Sequence, residues 1–195
     1  MTGGGHMRRV SDPEIRKKQI LETAMRLFYE NGYENTSLED IAGELHVVKG
    51  LCYRYFASKQ VLLEAVMDEY TKECCLPFLV ILHDRGKSIA DRLDRIMSLL
   101  LEPEENGRYH DFFHKTGNEA IHEQLAVRMC KYLTPYVEEE LEYLVGEGKL
   151  KQQQPSITAH FLMYGLIGVW QEEDQPGAKK AQVFGVMTRK LLNEQ

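Results

Sequence analysis

The residues best suited to bond making or metal ligation are few. His110 and His114 stand one helical turn apart, and Glu119 with His122 forms an ExxH pair of the kind bundle metal sites use. Such a set needs a second ExxH, and the chain has none. Satisfied or exposed histidines are therefore expected, with no metal and no cofactor. The four cysteines, Cys52, Cys74, Cys75 and Cys130, include an adjacent pair but no CxxC motif, so neither zinc nor a disulfide framework is indicated. Reduced thiols, partly in the core, are expected. There is no nucleophile elbow and no phosphate-cradling glycine loop. A metal-dependent helical-bundle enzyme built on the histidine set is the weaker alternative, and the chain is read as a non-enzyme.

The elements that would position these groups are all helical. The 195 residues, 43% hydrophobic and 28% charged, are ordinary for a folded chain. Residues 1–10, with three consecutive glycines, read as a flexible arm. Asp12-Pro13 then supplies an N-cap acceptor and a proline whose missing N–H costs nothing in a first turn. Ile20, Leu21, Ala24, Leu27 and Phe28 recur at helical spacing, and Gly32 marks the exit. Thr36 and Ser37 each precede an acid by three residues (Glu39, Asp40), a doubled capping-box signature. A second helix to about Leu45, a third over residues 49–56 and a longer one from Ser58 follow.

Apolar spacing predicts further helices near residues 59–83, 88–101, 108–114, 118–146, 156–171 and 178–193. Pro77 and Pro135 are expected to kink the helices that contain them. The longest apolar run, Phe161 to Trp170, is too short to span a bilayer, and no secretory signal is legible, so a cytoplasmic protein is expected.

Helices two and three are too short to make a core alone. Ile41, Ala42, Leu45, Val47 and Cys52 supply a small apolar seam that would hold them at a steep angle, as a helix-turn-helix over Thr36–Phe56. Charge neither supports nor opposes this. The net charge is −6, with nine basic against eight acidic residues up to Lys59 and fifteen against twenty-two beyond it. A near-neutral head can still gather its cations on one face, while an acidic body points away from phosphate.

Thr36-Ser37-Leu38-Glu39-Asp40-Ile41-Ala42, Val47-Val48-Lys49-Gly50, Tyr53-Arg54-Tyr55-Phe56 and Ser58-Lys59-Gln60-Val61-Leu62-Leu63 together resemble the TetR/AcrR family of bacterial regulators. The resemblance covers about residues 15–65. It implies an all-α fold: a three-helix DNA-binding head (residues 11–58), then a long fourth helix leading into an effector-binding and dimerisation domain (residues 59–195). It also implies site residues. Thr36 or Ser37 would contact phosphate from the start of helix two, Lys49 and Gly50 would form the reading tip, and Tyr53 and Tyr55 would line the groove wall. Arg54 would meet phosphate or a base, and Lys59 would pair with phosphate at the start of helix four. Arg8, Arg9, Lys17 and Lys18 are candidates for flanking phosphates.

Three positions depart from the family pattern. His46 stands where glycine is usual, Val48 replaces the serine or threonine that caps the reading helix, and Leu51 replaces a small polar residue. Leu51 then has two readings, contact with a thymine methyl or partial burial.

In the larger domain the resemblance implies a homodimer holding a small-molecule effector. The helix over Phe161–Trp170 is apolar on nearly all faces, so it must be buried or lie in an interface. Phe161, Gly165 and Gly168, with Val183, Phe184, Met187 and Leu191 of the last helix, are the expected dimer contacts. Phe112, Phe113, Tyr132, Tyr136, Phe161, Met163, Tyr164 and Trp170 are the candidate pocket walls, with Asp111 and Glu119 able to select a cation. The expected partners are a double-stranded, pseudo-palindromic DNA operator, an effector that releases the protein from it, and a second copy of the chain, with no membrane. A DNA-binding protein without an effector is the other alternative.

Overall fold

The computed structural model describes residues 12–101, 119–151, 154–172 and 174–192. Every regular element among them is an α-helix: α1 (Pro13–Asn31), α2 (Leu38–Glu44), α3 (Lys49–Tyr55), α4 (Lys59–Leu82), α5 (Ile89–Leu99), α6 (Glu119–Gly146), α7 (Pro155–Gln171) and α8 (Gly177–Leu191). The arm at residues 1–10, the helix expected over 108–114, Asp111 and the histidines at 110 and 114 lie outside the described residues, as does the side chain of Glu119. No helix among the described residues is long and apolar enough to cross a membrane.

The chain forms two compact units, one up to Glu69 and one from Tyr70. The division falls inside α4, beyond the head boundary at residue 58 drawn from sequence, because Leu62, Leu63, Val66 and Met67 are buried in the first unit. That unit starts as its sequence dictates. Asp12 caps α1 by accepting from the Glu14 N–H at 2.9 Å, and Pro13 opens the first turn. The apolar face of α1 buries Ile20, Leu21, Ala24, Leu27 and Phe28. Gly32, at φ +85°, lets the chain leave the helix while its N–H still bonds the Phe28 carbonyl. Ile41, Ala42 and Cys52 are buried seam residues of α2 and α3, as expected.

In the second unit α6 packs along α7, and α8 packs on α5 and α7. Leu141, Leu144, Leu150, Ala159 and Leu192 form one buried cluster, Cys75, Cys130, Leu133 and Met163 a second, and Leu93, Met97 and Ala181 a third. Both Pro77 and Pro135 lie within continuous helices. The four cysteines are free thiols, three of them buried. Burial pushes Cys75 up to about 12 and Cys130 up to about 11, because a thiolate loses its hydration there.

Candidate nucleic-acid interface and ligand cavity

The turn between α2 and α3 is a Schellman closure. The His46 N–H bonds the Gly43 carbonyl at 3.0 Å and the Val47 N–H bonds that of Ala42 at 2.9 Å. This geometry requires a left-handed residue after the cap, and His46 supplies it at φ +54°. The chain therefore keeps the backbone of a glycine turn while paying a side-chain steric penalty.

Val48 is the N-cap of α3 and makes no side-chain capping bond, as expected of valine. The helix hangs on buried Cys52. Lys49, Gly50, Tyr53 and Arg54, at i, i+1, i+4 and i+5, form one exposed face, with Leu51 and Tyr55 half-buried on its flank. Val48 is 78% exposed at its tip. Glu39 of α2 reaches this face: it lies 3.6 Å from the Lys49 ammonium and accepts from the Tyr53 hydroxyl at 3.4 Å. The Arg54 guanidinium sits 5.5 Å from the Tyr55 ring centre.

Three expectations for this region change. Only one capping box exists: the Asp40 N–H donates to Ser37 Oγ, and Asp40 accepts from the Ser37 N–H in return. Those bonds hold the Asp40 carboxyl below its usual range, the Ser37 hydroxyl contributing most. Thr36 is no surface residue. It is 2% exposed, and its hydroxyl lies within bonding reach of the Leu27 and Gly32 carbonyls, so it locks the end of α1 and presents no hydroxyl at the surface. The Lys59 ammonium donates to the carbonyls of Tyr33 (3.0 Å) and Glu34 (3.2 Å) and lies 4.3 Å from the Tyr33 ring centre. Two of its three donors brace the turn before α2, where a free phosphate ligand was expected.

The second unit contains a partly open cavity of about 630 Å³ lined by side chains from α4 to α8, among them Phe78, Leu93, Met97, Leu133, Leu162, Trp170 and Phe184. Of the aromatic residues expected to line it, Trp170 does so. Phe161 and Tyr164 are 67% and 45% exposed. They share the face of α7 opposite buried Ala159 and Met163, because a helix apolar all round must direct half its apolar side chains away from any one pocket. Tyr132 and Tyr136 pair with each other, ring centres 5.5 Å apart, away from the lining. Phe112 and Phe113 lie outside the described residues. Conversely Phe184, expected on the outward face of α8, packs inward on Leu93, Met97 and Ala181. Val183 and Met187 are exposed, Leu191 is half-buried, and Gly165 and Gly168 have open space where a Cβ would stand.

Sequence reasoning missed Arg92 and Glu140, both buried and both lining the cavity. The available signal was Glu140 itself, a carboxylate interrupting the apolar row Leu133, Val137, Leu141, Leu144 of α6. No group of three metal-ligating side chains occurs among the described residues.

Two helices joined by this turn, with a cationic and aromatic outer face on the second, define a helix-turn-helix DNA-binding unit. Residues 20–66 match the family model described as "Bacterial regulatory proteins, tetR family". The HTH-type transcriptional regulator YuxN of Bacillus subtilis is 44% identical over 55 residues, 28% of this chain but only 19% of that protein. YhgD of the same organism, another HTH-type transcriptional regulator, is 25% identical over 88% of this chain and 92% of its own length. Among solved structures, RolR in complex with resorcinol superposes with a TM-score of 0.58 at 19% identity, covering 93% of this chain and 89% of that one. Residues 20–66 are thus similar to the DNA-binding domain of tetR-family regulators, and the chain as a whole shares the fold of RolR.

Proposed function

We propose that the protein is a homodimeric repressor that occupies a pseudo-palindromic operator when empty and leaves it when a small molecule fills the cavity. The observation that carries the DNA-binding part is the exposed face of α3, with Lys49, Gly50, Tyr53 and Arg54 together on a helix anchored by buried Cys52. Lys49 and Arg54 meet phosphate or guanine, Tyr53 meets the groove wall, and Val48 and Leu51 offer apolar contact to thymine methyl groups. Ser37 adds a phosphate contact from the start of α2. Tyr55 and Lys59 act mainly by holding the face in place.

The effector reading rests on the largely apolar, partly open cavity, of the size that takes drug-like ligands. RolR, on the same fold, holds resorcinol. Release then follows from linkage: an effector that binds the DNA-incompetent state more tightly lowers operator affinity by that difference and no more. Dimerisation is supported by the outward faces of α7 and α8, where Ile157, Phe161, Tyr164, Val183, Val186 and Met187 are exposed. An apolar surface of that extent is normally covered by a partner. Such a regulator works in the cytoplasm and performs no catalysis.

The test is fluorescence anisotropy of labelled operator duplex across a salt series. The wild-type protein gives a steeply negative log–log slope, and Arg54→Ala makes it shallower by about one. An unchanged slope in the variant would remove Arg54 from the phosphate contacts.

A further inference from the structure

Three acids lie on α2: Glu39, Asp40 and Glu44. Asp40 is held by Ser37 in the capping box, and Glu44 pairs with Arg26 of α1. Glu39 is turned the other way, onto the exposed face of α3. Its carboxylate lies 3.6 Å from the Lys49 ammonium and accepts from the Tyr53 hydroxyl at 3.4 Å, with both partners open to solvent. As a stabiliser an exposed ion pair of this kind contributes little. Set against phosphate, the carboxylate is repelled and offsets the charge that Lys49 would bring.

Base edges are the better match. Lys49 is the first residue of α3, at the end of a reading helix that meets the major-groove floor. A G·C pair presents guanine N7 and O6 there as acceptors beside the cytosine N4 donor, O6 and N4 being joined by a hydrogen bond of about 2.9 Å. A cation and a carboxylate 3.6 Å apart have a matching spacing and the complementary polarity. On an A·T pair the donor, adenine N6, lies between two acceptors that repel the carboxylate.

Resting on the reading of α3 as the DNA-facing helix, we infer that Glu39 and Lys49 together determine specificity for one G·C pair in each half-site. Lys49 donates to guanine O6 or N7, and Glu39 accepts from cytosine N4. The Tyr53 hydroxyl orients the carboxylate. At other sequences Glu39 faces an acceptor or a phosphate, so the same residue lowers affinity for wrong DNA.

Duplexes are enriched from a random library with the full-length wild type, Glu39→Gln and Lys49→Gln, and the affinities of recovered sequences are measured by fluorescence anisotropy. The wild-type motif is expected to hold one G·C pair per half-site whose replacement by A·T weakens binding about tenfold. Both variants lose that preference at the same position and keep the rest of the motif, because the pair is read as a unit. Glu39→Gln also binds duplex lacking the motif more tightly than the wild type does, with a steeper salt slope. Should Lys49→Gln bind too weakly to enrich any sequence, Glu39→Gln decides alone. A motif unchanged in Glu39→Gln, or preferences lost at different positions in the two variants, would overturn the paired reading while leaving α3 the DNA-reading helix. No common sequence recovered by the wild type would overturn the DNA-binding reading and the pair with it.

Discussion

At the residue scale, several side chains in the head hold the reading surface in place without forming part of it. Thr36 and Lys59 are spent on the carbonyls around the α1–α2 turn. His46 holds a left-handed backbone that glycine would adopt at lower cost. Relief of about 1–2 kcal/mol of steric penalty, less about 0.5–1 kcal/mol of added chain entropy, gives His46→Gly a net gain of up to about 1.5 kcal/mol, read as an upward shift in the denaturation midpoint. Burial, which raises Cys75 and Cys130 to about 12 and 11, makes them inert in the native state. Iodoacetamide at about pH 8 is expected to leave both unlabelled until denaturant is added. Rapid native labelling of either would contradict their environment. The same shifts have a sign: above the ordinary thiol range the unfolded chain gives up its protons first, so stability falls as pH rises from about 9 towards the folded values.

At the element scale, the periodic signals carried most of the fold. Asp12-Pro13, Gly32, Ser37 with Asp40 and the apolar spacing of α1 each mark a helix end or face that the structure contains. Misread were the features that depend on which of two near-equal local choices wins. Thr36/Glu39 and Ser37/Asp40 look alike as caps, but only Ser37 occupies the cap, since Thr36 is drawn inward by the Leu27 and Gly32 carbonyls. The freed Glu39 instead faces Lys49 and Tyr53.

The capping box makes the start of α2 sensitive to acid. Its bonds lower the Asp40 pKa, so the stabilisation is complete above the ordinary carboxylate value of about 3.9 and is lost as pH falls through and below it. Melting temperature should drop between about pH 5 and pH 3, and Ser37→Ala should melt lower at neutral pH with a smaller acid-induced drop. An equal drop in the variant would show that other carboxylates dominate.

At the scale of the whole molecule, the all-helical architecture and the head's likeness to tetR-family DNA-binding domains were readable because the head's motifs are local. The cavity was not, since its wall is assembled by residues far apart in sequence. Arg92 and Glu140 come from α5 and α6, and nothing near either in the chain announces the other. The outer apolar faces of α7 and α8 fall between these cases: helical period shows that an apolar stripe exists, and tertiary packing decides which side is covered. Phe161 and Met187, 67% and 61% exposed, are the most exposed members on α7 and α8 respectively. The proposed dimer through these faces is expected to sediment as a dimer in the wild type and as a monomer in Phe161→Glu or Met187→Glu with helicity retained, whereas a monomeric wild type or an unchanged mass in both variants would contradict it.

The account stands most directly on what DNA the protein selects. Purified full-length protein is used to enrich duplexes from a random library, and the recovered sequences are aligned. The account predicts an inverted repeat whose half-sites lie about one or more helical turns apart, bound with a steep salt dependence. Recovery of no common sequence, with a flat salt response, would contradict it.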